Sequence, residues 1–523
     1  MPIDLKNIHK LSEIEPYLTD RRFSAPMNPA DSPFLSMLRD RVMIFDGGMG
    51  TQIFTFDLSI EKDFWGKENC VDLLVLSRPD VIEEIHARYF AAGADCVETD
   101  TFGANKVVLA EFGLADRTYE MNVAAVKVAR KAADRFKADG KQRFVAGSIG
   151  PGTKAVTIGH IDYDTLLDSY TEQARGLLDG GVDAFLIETQ FDLNVVKIAA
   201  TACLDAMRAK NKRVPLMVQV TMETTGTMLL GTEMAAAIAT LEALPIDVLG
   251  MNCATGPELM RQHVEVLSNN CTRFLSVQPN AGLPVLHDGH THFPLSAEEL
   301  AKAHVDFVKT FGINIAGGCC GTTPAHIKLV AEALKGVKPK ARDVFGRKPT
   351  AATAQVSSLY SAESARQDLS ILIIGERTNT NGSKKFKEAL IAGDIDTCTA
   401  MGREQVKEGS HVVDVCVDYV GRDGVPDMTT IVQRFVKDVK APLMIDSTQL
   451  DVVEAGLKAA PGKCIVNSIN LEDGEEKLAK MCYLLKRYGA GVVVGTIDED
   501  KIEAMGKTAD RKISIARRLY DLL

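Results

Sequence analysis

Eight short apolar runs alternate with amphipathic stretches over about 300 residues of the 523-residue chain. The amphipathic stretches, such as Pro79–Ala91 and Asp164–Leu178, have helical periodicity and lead into glycine-containing turns before the next run. Eight βα units of this kind predict an α/β fold, a (β/α)8 TIM barrel, whose functional groups lie at the carboxyl ends of the strands. The predicted strands are Val42–Phe45, Cys96–Thr99, Phe144–Gly147, Ala184–Ile187, Leu216–Val220, Val248–Met251, Phe274–Val277 and Ile313–Ala316.

Three cysteines fall at these carboxyl ends. Cys253 follows strand six, and Cys319 and Cys320 follow strand eight in Gly317-Gly318-Cys319-Cys320-Gly321. Neighbouring side chains of a strand point to opposite faces, so a Cys-Cys pair reaches one ion only where the chain turns, which the glycines permit. Three thiolates can bind one Zn²⁺ and leave the fourth tetrahedral position open, as in a catalytic zinc site. The alternative is that the cysteines are small buried core residues.

Two carboxylates occupy similar positions at the ends of apolar strands. Asp46 begins the segment Asp46-Gly47-Gly48-Met49-Gly50-Thr51 after strand one, and Glu188 ends strand four. Charged groups in this setting suit an ammonium or another cationic group of a substrate. The alternatives are a helix N-cap for Asp46 and a salt bridge for Glu188. The glycines of the segment offer backbone N–H groups to a carboxylate, although they do not match a dinucleotide fingerprint.

These motifs closely resemble those of the zinc-dependent homocysteine S-methyltransferases over residues 36–337. The resemblance implies that Cys253, Cys319 and Cys320 are the zinc ligands and catalytic residues, with the homocysteine thiolate in the open position. It also implies that Asp46 and Glu188 receive the amino-acid end of homocysteine, and Asn252, beside Cys253, is assigned to the same substrate site. The enzyme class expected is therefore a methyltransferase that forms methionine.

A change in composition predicts a linker over residues 338–368, between one domain at 1–337 and another at 369–523. The linker carries Lys338-Pro339-Lys340 and an Ala/Ser/Thr-rich stretch with little periodic hydrophobicity. Strand patterns then resume five times, which predicts a second, incomplete TIM-type barrel. These strands are Ile371–Ile374, Val412–Val415, Pro442–Ile445, Cys464–Asn467 and Gly491–Val494.

Polar groups again lie at the strand ends of this second domain, and they could form one pocket for a flat heterocycle. Each one taken singly could instead be a cap or a turn-former. The residues are Glu376, Asn379, Asp414, Asp446 and Asn467.

The motifs Ile374-Gly375-Glu376-Arg377-Thr378-Asn379, Ile445-Asp446-Ser447-Thr448 and Val466-Asn467-Ser468 resemble the pterin-binding methyltransferase domain of cobalamin-dependent methionine synthases over residues 369–523. The resemblance implies that Asp446 and Asn467 bind the pterin ring of 5-methyltetrahydrofolate, with Glu376, Asn379 and Asp414 in the same pocket. Asp414-Val415-Cys416 departs from the Asp-x-Asn of the family. Because the closure of such a barrel takes eight strands, we expect this chain to be a fragment of a longer protein.

The chain lacks the Asp-x-His-x-x-Gly pattern that binds cobalamin in this family. Asp288-Gly289-His290-Thr291-His292-Phe293 comes nearest but lacks the final glycine, so we expect His290 and His292 to lie solvated in a polar loop. Cobalamin is expected to be bound by a region or a protein outside this chain.

The predicted function is methyl transfer from 5-methyltetrahydrofolate, through a cobalamin carrier, to the zinc-activated thiolate of homocysteine. One alternative is a cobalamin-independent homocysteine methyltransferase that uses betaine or S-methylmethionine. Another is a zinc-holding scaffold without catalysis.

The composition agrees with an enzyme that acts on small molecules. With 60 basic and 70 acidic residues, the net charge of −10 gives no support for binding to nucleic acid or to an anionic membrane. The eleven cysteines are interpreted as reduced thiols, and the sequence shows neither a signal peptide nor a membrane span. We therefore expect a cytoplasmic protein.

Overall fold

The computed structural model describes residues 8, 11–287, 290–348, 350, 352–497 and 505–522. The contacts divide the chain into two compact units. The barrel unit comprises residues 26–230 and 245–348, and the sheet unit comprises the described residues within 1–25, 231–244 and 349–523. The domain boundaries at 337 and 368 stay a prediction.

The barrel unit contains the eight predicted strands in one parallel sheet, ordered β1-β8-β7-β6-β5-β4-β3-β2. A bridge between Phe45 and Cys96 joins the two ends of this order, so the sheet is a nearly closed barrel and the predicted fold is confirmed. β1 and β8 are shorter than the predicted apolar runs, with two residues each. The strands are β1 Met43–Ile44, β2 Cys96–Glu98, β3 Phe144–Ile149, β4 Ala184–Gln190, β5 Leu216–Val220, β6 Val248–Asn252, β7 Phe274–Gln278 and β8 Ile315–Ala316.

Helices alternate with these strands, as the amphipathic stretches predicted. Gly93 (φ 107°) and Gly181 (φ 97°) end two of them in the left-handed conformation that glycine adopts without a steric penalty. The helices of the barrel unit are Pro33–Asp40, Met49–Ile53, Leu74–Ser77, Pro79–Ala92, Lys106–Glu111, Thr118–Asp134, Tyr163–Gly180, Leu193–Ala209, Pro257–Asn270, Ala297–Phe311 and Pro324–Leu334.

The amino ends of the strands are closed by apolar packing. Phe34, Leu35 and Leu38 of the helix Pro33–Asp40 belong to one buried cluster with the first residues of seven strands and with Met217, the second residue of β5. Because this end is filled, polar chemistry in the barrel is confined to the opposite, carboxyl end of the strands.

The segment around His290 and His292 is a short antiparallel hairpin, with strands Val285–His287 and His290–His292, where we predicted a polar loop. Residues 288 and 289 of the nearest cobalamin-like motif lie outside the described residues.

The sheet unit contains a parallel five-stranded sheet in sequential order, which confirms the number of predicted strands. The first begins at Ile374, whereas the apolar run predicted it from Ile371. The strands are β9 Ile374–Gly375, β10 Val412–Val415, β11 Leu443–Asp446, β12 Ile465–Ile469 and β13 Gly491–Val494. The helices of this unit are Leu11–Thr19, Arg21–Ser24, Met234–Leu241, Lys384–Ile391, Ile395–Lys407, Gly424–Asp438, Leu450–Ala459, Gly474–Tyr488 and Ala509–Leu522.

A short hairpin interrupts the segment predicted to be a linker. Strands Gln355–Ser357 and Ala362–Ser364 pair in antiparallel fashion, and Val356 packs in a buried cluster with Val412 and Met444 of the sheet. This part of the segment therefore contributes to the core of the sheet unit. No helix within the described residues has the length and apolar content needed to cross a membrane.

Candidate functional site

The structure brings together the three cysteines that follow β6 and β8. Their sulfur atoms all lie within 4.8 Å of one another, and the Sγ atoms of Cys253 and Cys320 are 3.8 Å apart. Sulfurs bound at about 2.3 Å to one tetrahedral Zn²⁺ would themselves be separated by about 3.8 Å. Cys320 is exposed and Cys253 and Cys319 are half-buried, so the group is accessible to a ligand from solvent. The spacing and the chemistry of the three sulfurs fit a zinc ion.

The backbone at Cys253 is held in a left-handed conformation. Cys253 has φ 60° and the next residue, Ala254, has φ 55°, a region that costs a non-glycine residue about 1–2 kcal/mol. The Cys253 N–H donates to the carbonyl oxygen of Gln278 across 3.1 Å, and the Thr255 N–H donates to the Cys253 carbonyl across 2.7 Å. The fold therefore sustains a strained turn that directs this thiol, as is common at functional sites.

The glycines around Cys319 and Cys320 have two different roles. Gly321 has φ 79°, so it alone among them uses the left-handed region, and Phe293 occupies the space that a Cβ atom would need. At Gly317 and Gly318 a Cβ atom would instead collide with Phe45 and Thr322. One glycine therefore provides the predicted turn, and the other two permit close packing of the loop.

Close contacts among the three thiols change their pKa values. Contact with the Cys253 and Cys320 side chains raises the pKa of Cys319 well above its ordinary value. Hydrogen bonds with Cys253 and Cys319 lower the pKa of Cys320 to about 3. One thiolate is therefore readily formed, whereas three adjacent thiolates need a cation to offset their mutual repulsion.

Asp46 and Glu188 are both buried, with 2% and 6% of their surface exposed. Asp46 accepts a hydrogen bond from the Glu98 N–H (3.0 Å), and its second oxygen has no partner among the described residues. Glu188 accepts from the Ser148 hydroxyl (2.5 Å) and from Asn252 Nδ2 (3.0 Å). The cap of the helix that follows Asp46 is Gly48, which makes no side-chain bond. Asp46 therefore does not cap this helix, and Glu188 has neutral hydrogen-bond partners rather than an ion pair.

A third carboxylate, Glu98, belongs to the same group and was missed from the sequence. It lies at the carboxyl end of β2, and its Oε1 accepts from Gln278 Nε2 across 2.6 Å. Burial, with repulsion from Glu188, raises the pKa of both Glu98 and Asp46 well above the ordinary range. Burial also raises the pKa of Glu188 to about 7. The signal that identified Glu188, a charge ending an apolar strand, applies equally to Glu98.

The amide of Asn252 connects the carboxylates to the cysteines. Its Nδ2 lies 3.0 Å from Glu188 Oε2, 2.9 Å from Thr189 Oγ1 and 3.9 Å from Cys319 Sγ. Its Oδ1 accepts the Thr189 N–H (2.8 Å), at a residue with φ 56°. Because these protein contacts occupy the amide, the geometry favours an orienting role for Asn252.

Two glutamines, Gln219 and Gln278, form a buried polar layer that contacts Glu98 and Cys253. Gln219 Nε2 donates to Ser276 Oγ across 2.7 Å and also to Gln278 Oε1. Gln278 in turn donates to Glu98, and its backbone carbonyl accepts from Cys253. The layer therefore links the position of one cysteine to that of one carboxylate, and these two glutamines were also missed from the sequence.

In the sheet unit, Asn379 bridges two of the predicted pterin-site carboxylates. Its Nδ2 donates to Asp414 (3.0 Å) and to Asp446 (2.9 Å). Burial raises the pKa of Asp414 to about 7 and that of Asp446 to about 6. Asp446 and Asn467 are register partners on β11 and β12, where Asn467 is half-buried. Glu376 is exposed beyond β9. The strand ends thus place acceptors and an amide at one edge of the sheet.

Cys416 stands where the family pattern has asparagine. Its buried sulfur lies 3.9 Å from the Thr380 hydroxyl and 3.7 Å from Asn381 Nδ2, so neighbouring polar groups surround the thiol. Asp418, which we did not predict, accepts from the Ser447 hydroxyl at 2.9 Å beside the end of β11.

The family model of homocysteine S-methyltransferases matches residues 43–334. The chain belongs to this family. The model of pterin binding enzymes matches residues 375–522. Both resemblances drawn from the motifs are therefore confirmed, and with them the assignment to a family of methyltransferases.

Curated relatives agree with the two matches. The chain is 46% identical over 494 residues to the methionine synthase of Mycobacterium tuberculosis (strain ATCC 25618 / H37Rv), covering 94% of this chain and 41% of that protein. It is 44% identical over 505 residues to the methionine synthase of Mycobacterium leprae (strain TN), covering 95% of this chain and 41% of that protein. The chain thus spans about two fifths of the length of these relatives.

A solved structure, the metallated homocysteine methyltransferase MmuM from Escherichia coli, is 24% identical with a TM-score of 0.48. It covers 58% of this chain and 99% of its own.

Proposed function

We propose that this chain performs the homocysteine and methyltetrahydrofolate parts of a methionine synthase reaction. In this reaction a methyl group passes from 5-methyltetrahydrofolate, through a cobalamin carrier, to the sulfur of homocysteine. Cobalamin would be bound by a region or protein other than this chain. The relatives' name and the two family matches support this proposal.

Cys253, Cys319 and Cys320 would hold Zn²⁺ through their three thiolates. Bound there, Zn²⁺ would supply the positive charge that keeps a fourth, substrate sulfur deprotonated near neutral pH. The exposed side of Cys320 leaves that sulfur room to approach from solvent.

Asp46 and Glu188 would receive the ammonium group of homocysteine. Both carboxyls are buried without a cationic partner among the described salt bridges, so an ammonium would offset their desolvation. Asn252 would hold Glu188 in place, since its amide hydrogens point to Glu188 and Thr189. Glu376, Asn379, Asp414, Asp446 and Asn467 would contact the pterin.

The single observation that carries the proposal is the convergence of three sulfurs within 4.8 Å at the carboxyl end of the barrel, beside buried carboxylates. The same thiols favour a reducing compartment such as the cytoplasm, because in an oxidising one they would be prone to form disulfides.

The test uses methylcobalamin as the donor, supplied free in solution. The zinc-loaded chain should form methionine from homocysteine and methylcobalamin, and treatment with a chelator should abolish the reaction. Formation of methionine at the same rate in the metal-free chain would contradict the proposal.

A further inference from the structure

A cleft in the sheet unit lies next to the proposed pterin residues and has no role in the function proposed above. Its lining includes Thr448, two residues beyond Asp446, and Ser468, which directly follows Asn467. The cleft therefore lies at the carboxyl ends of β11 and β12, where the pterin ring would bind.

One wall of this cleft is apolar. Ile469, Leu478 and Met481 line it, and they are exposed by only 2%, 4% and 4% of their surface. Leu478 and Met481 lie three positions apart on the helix Gly474–Tyr488, so they present neighbouring side chains on one face. A wall of this kind suits a flat aromatic ring, which gains free energy from burial against aliphatic groups.

A cation lies in the same cleft. The side chain of Lys477 is 37% exposed and forms an ion pair with Asp473, which also lines the cleft. An ammonium has three N–H donors, and Asp473 occupies one of them. Lys477 can therefore bind a second carboxylate in a charge-assisted hydrogen bond.

We propose that this cleft binds the p-aminobenzoyl-glutamate portion of the folate substrate. The benzoyl ring lies against Leu478 and Met481, and a glutamate carboxylate pairs with Lys477. The inference rests on the proposed function, because it takes the pterin to be held by Asp446 and Asn467. It adds a subsite that recognises the conjugated tail separately from the pterin ring.

The test compares two ligands by calorimetry on the 523-residue chain, titrated to millimolar concentration. One is 5-methyltetrahydrofolate, and the other is 5,6-dimethyltetrahydropterin, which has the methylated pterin ring but no benzoylglutamate. Lys477→Ala should weaken binding of 5-methyltetrahydrofolate about tenfold and leave binding of the pterin unchanged. The difference between the variant and the unmodified protein should shrink in 0.5 M salt, because the contact is partly exposed.

Two further variants test whether the effect is specific to Lys477. Asp473→Asn removes a carboxylate that competes for Lys477, so it should strengthen binding of 5-methyltetrahydrofolate about two- to fivefold. Lys480→Ala, on the same helix and paired with Glu476, should change neither ligand.

Binding of 5-methyltetrahydrofolate that does not depend on Lys477, or an equal loss for both ligands, would overturn the tail subsite and leave the pterin assignment standing. If the unmodified chain binds neither ligand, the pterin assignment fails and the subsite fails with it.

Discussion

The amide of Asn252 donates a hydrogen bond to the carboxylate of Glu188, from Nδ2 to Oε2 across 3.0 Å. Asn252 is 1% exposed and Glu188 is 6% exposed, so the bond forms out of contact with bulk water. The same nitrogen lies 3.9 Å from Cys319 Sγ. A single side chain therefore orients the group proposed for the substrate ammonium and contacts one of the proposed zinc ligands.

Replacement of Asn252 by alanine should weaken homocysteine binding about tenfold, because Glu188 loses the donor that fixes its position. Zinc content should stay unchanged, since all three cysteines remain. The buried partners left unpaired should cost about 1–3 kcal/mol of stability. Calorimetry with homocysteine on the zinc-loaded variant measures the effect.

Asn122→Ala is the matched control for this variant. It removes a buried amide that bonds to the Ala104 and Thr118 carbonyls, so it should lower stability without changing homocysteine affinity. Equal affinity in the Asn252 variant and the unmodified protein would exclude the orienting role.

Glu188→Gln should remove the preference for an ammonium group. The unmodified protein should bind homocysteine at least tenfold more tightly than 4-mercaptobutanoate, which lacks only the amino group. In the variant this ratio should fall toward one while zinc content is retained. Loss of zinc would make Glu188 a structural residue, and an unchanged ratio would exclude it from the substrate site.

Gly321→Ala should disrupt the zinc site although every cysteine is kept. An alanine there would be strained at φ 79°, and its Cβ would also collide with Phe293. Gly336 has a similar φ of 75° with open space around it, so Gly336→Ala should cost only about 1–2 kcal/mol. Metal analysis should show zinc depleted in the Gly321 variant and retained in the Gly336 variant. Full zinc occupancy in both would contradict the packing argument.

Asp414 should make the sheet less stable as the pH rises. Burial raises its pKa to about 7 from an ordinary value of 3.8, so between these values the folded state binds more protons than the unfolded state. Stability should therefore fall as the pH rises from about 4 to about 7. Asp414→Asn should have a shallower slope, and the slope that remains comes from Asp446, whose pKa burial raises to about 6.

Hydrogen exchange of the strand Val412–Val415, corrected for intrinsic rates, measures this local effect in a chain of two units. Equal slopes in the variant and the unmodified protein would show that Asp414 is already ionised across this range.

The strands were predictable because buried parallel strands have nearly continuous apolar runs, as at Leu216–Val220 and Val412–Val415. The cysteines and two carboxylates were predictable because polar residues at strand ends conflict with packing. The contacts among these residues could not be predicted from the sequence. Glu98 meets Gln278 across 180 positions of sequence, a pairing that no local pattern encodes. The hairpin that begins at Gln355 was also missed, since its strands are only three residues long.

In the proposed metal site, three cysteine thiolates bind one zinc and leave one position for homocysteine. X-ray absorption at the zinc edge tests this arrangement, because it counts the sulfur ligands at about 2.3 Å. Cys320→Ala should lose zinc, whereas Cys203→Ala, at a buried thiol of the helix Leu193–Ala209, should retain it. In the unmodified zinc-loaded chain we predict three sulfur ligands and one lighter ligand, with a fourth sulfur after homocysteine is added. Four sulfurs before homocysteine is added, or an unchanged count afterwards, would contradict the account.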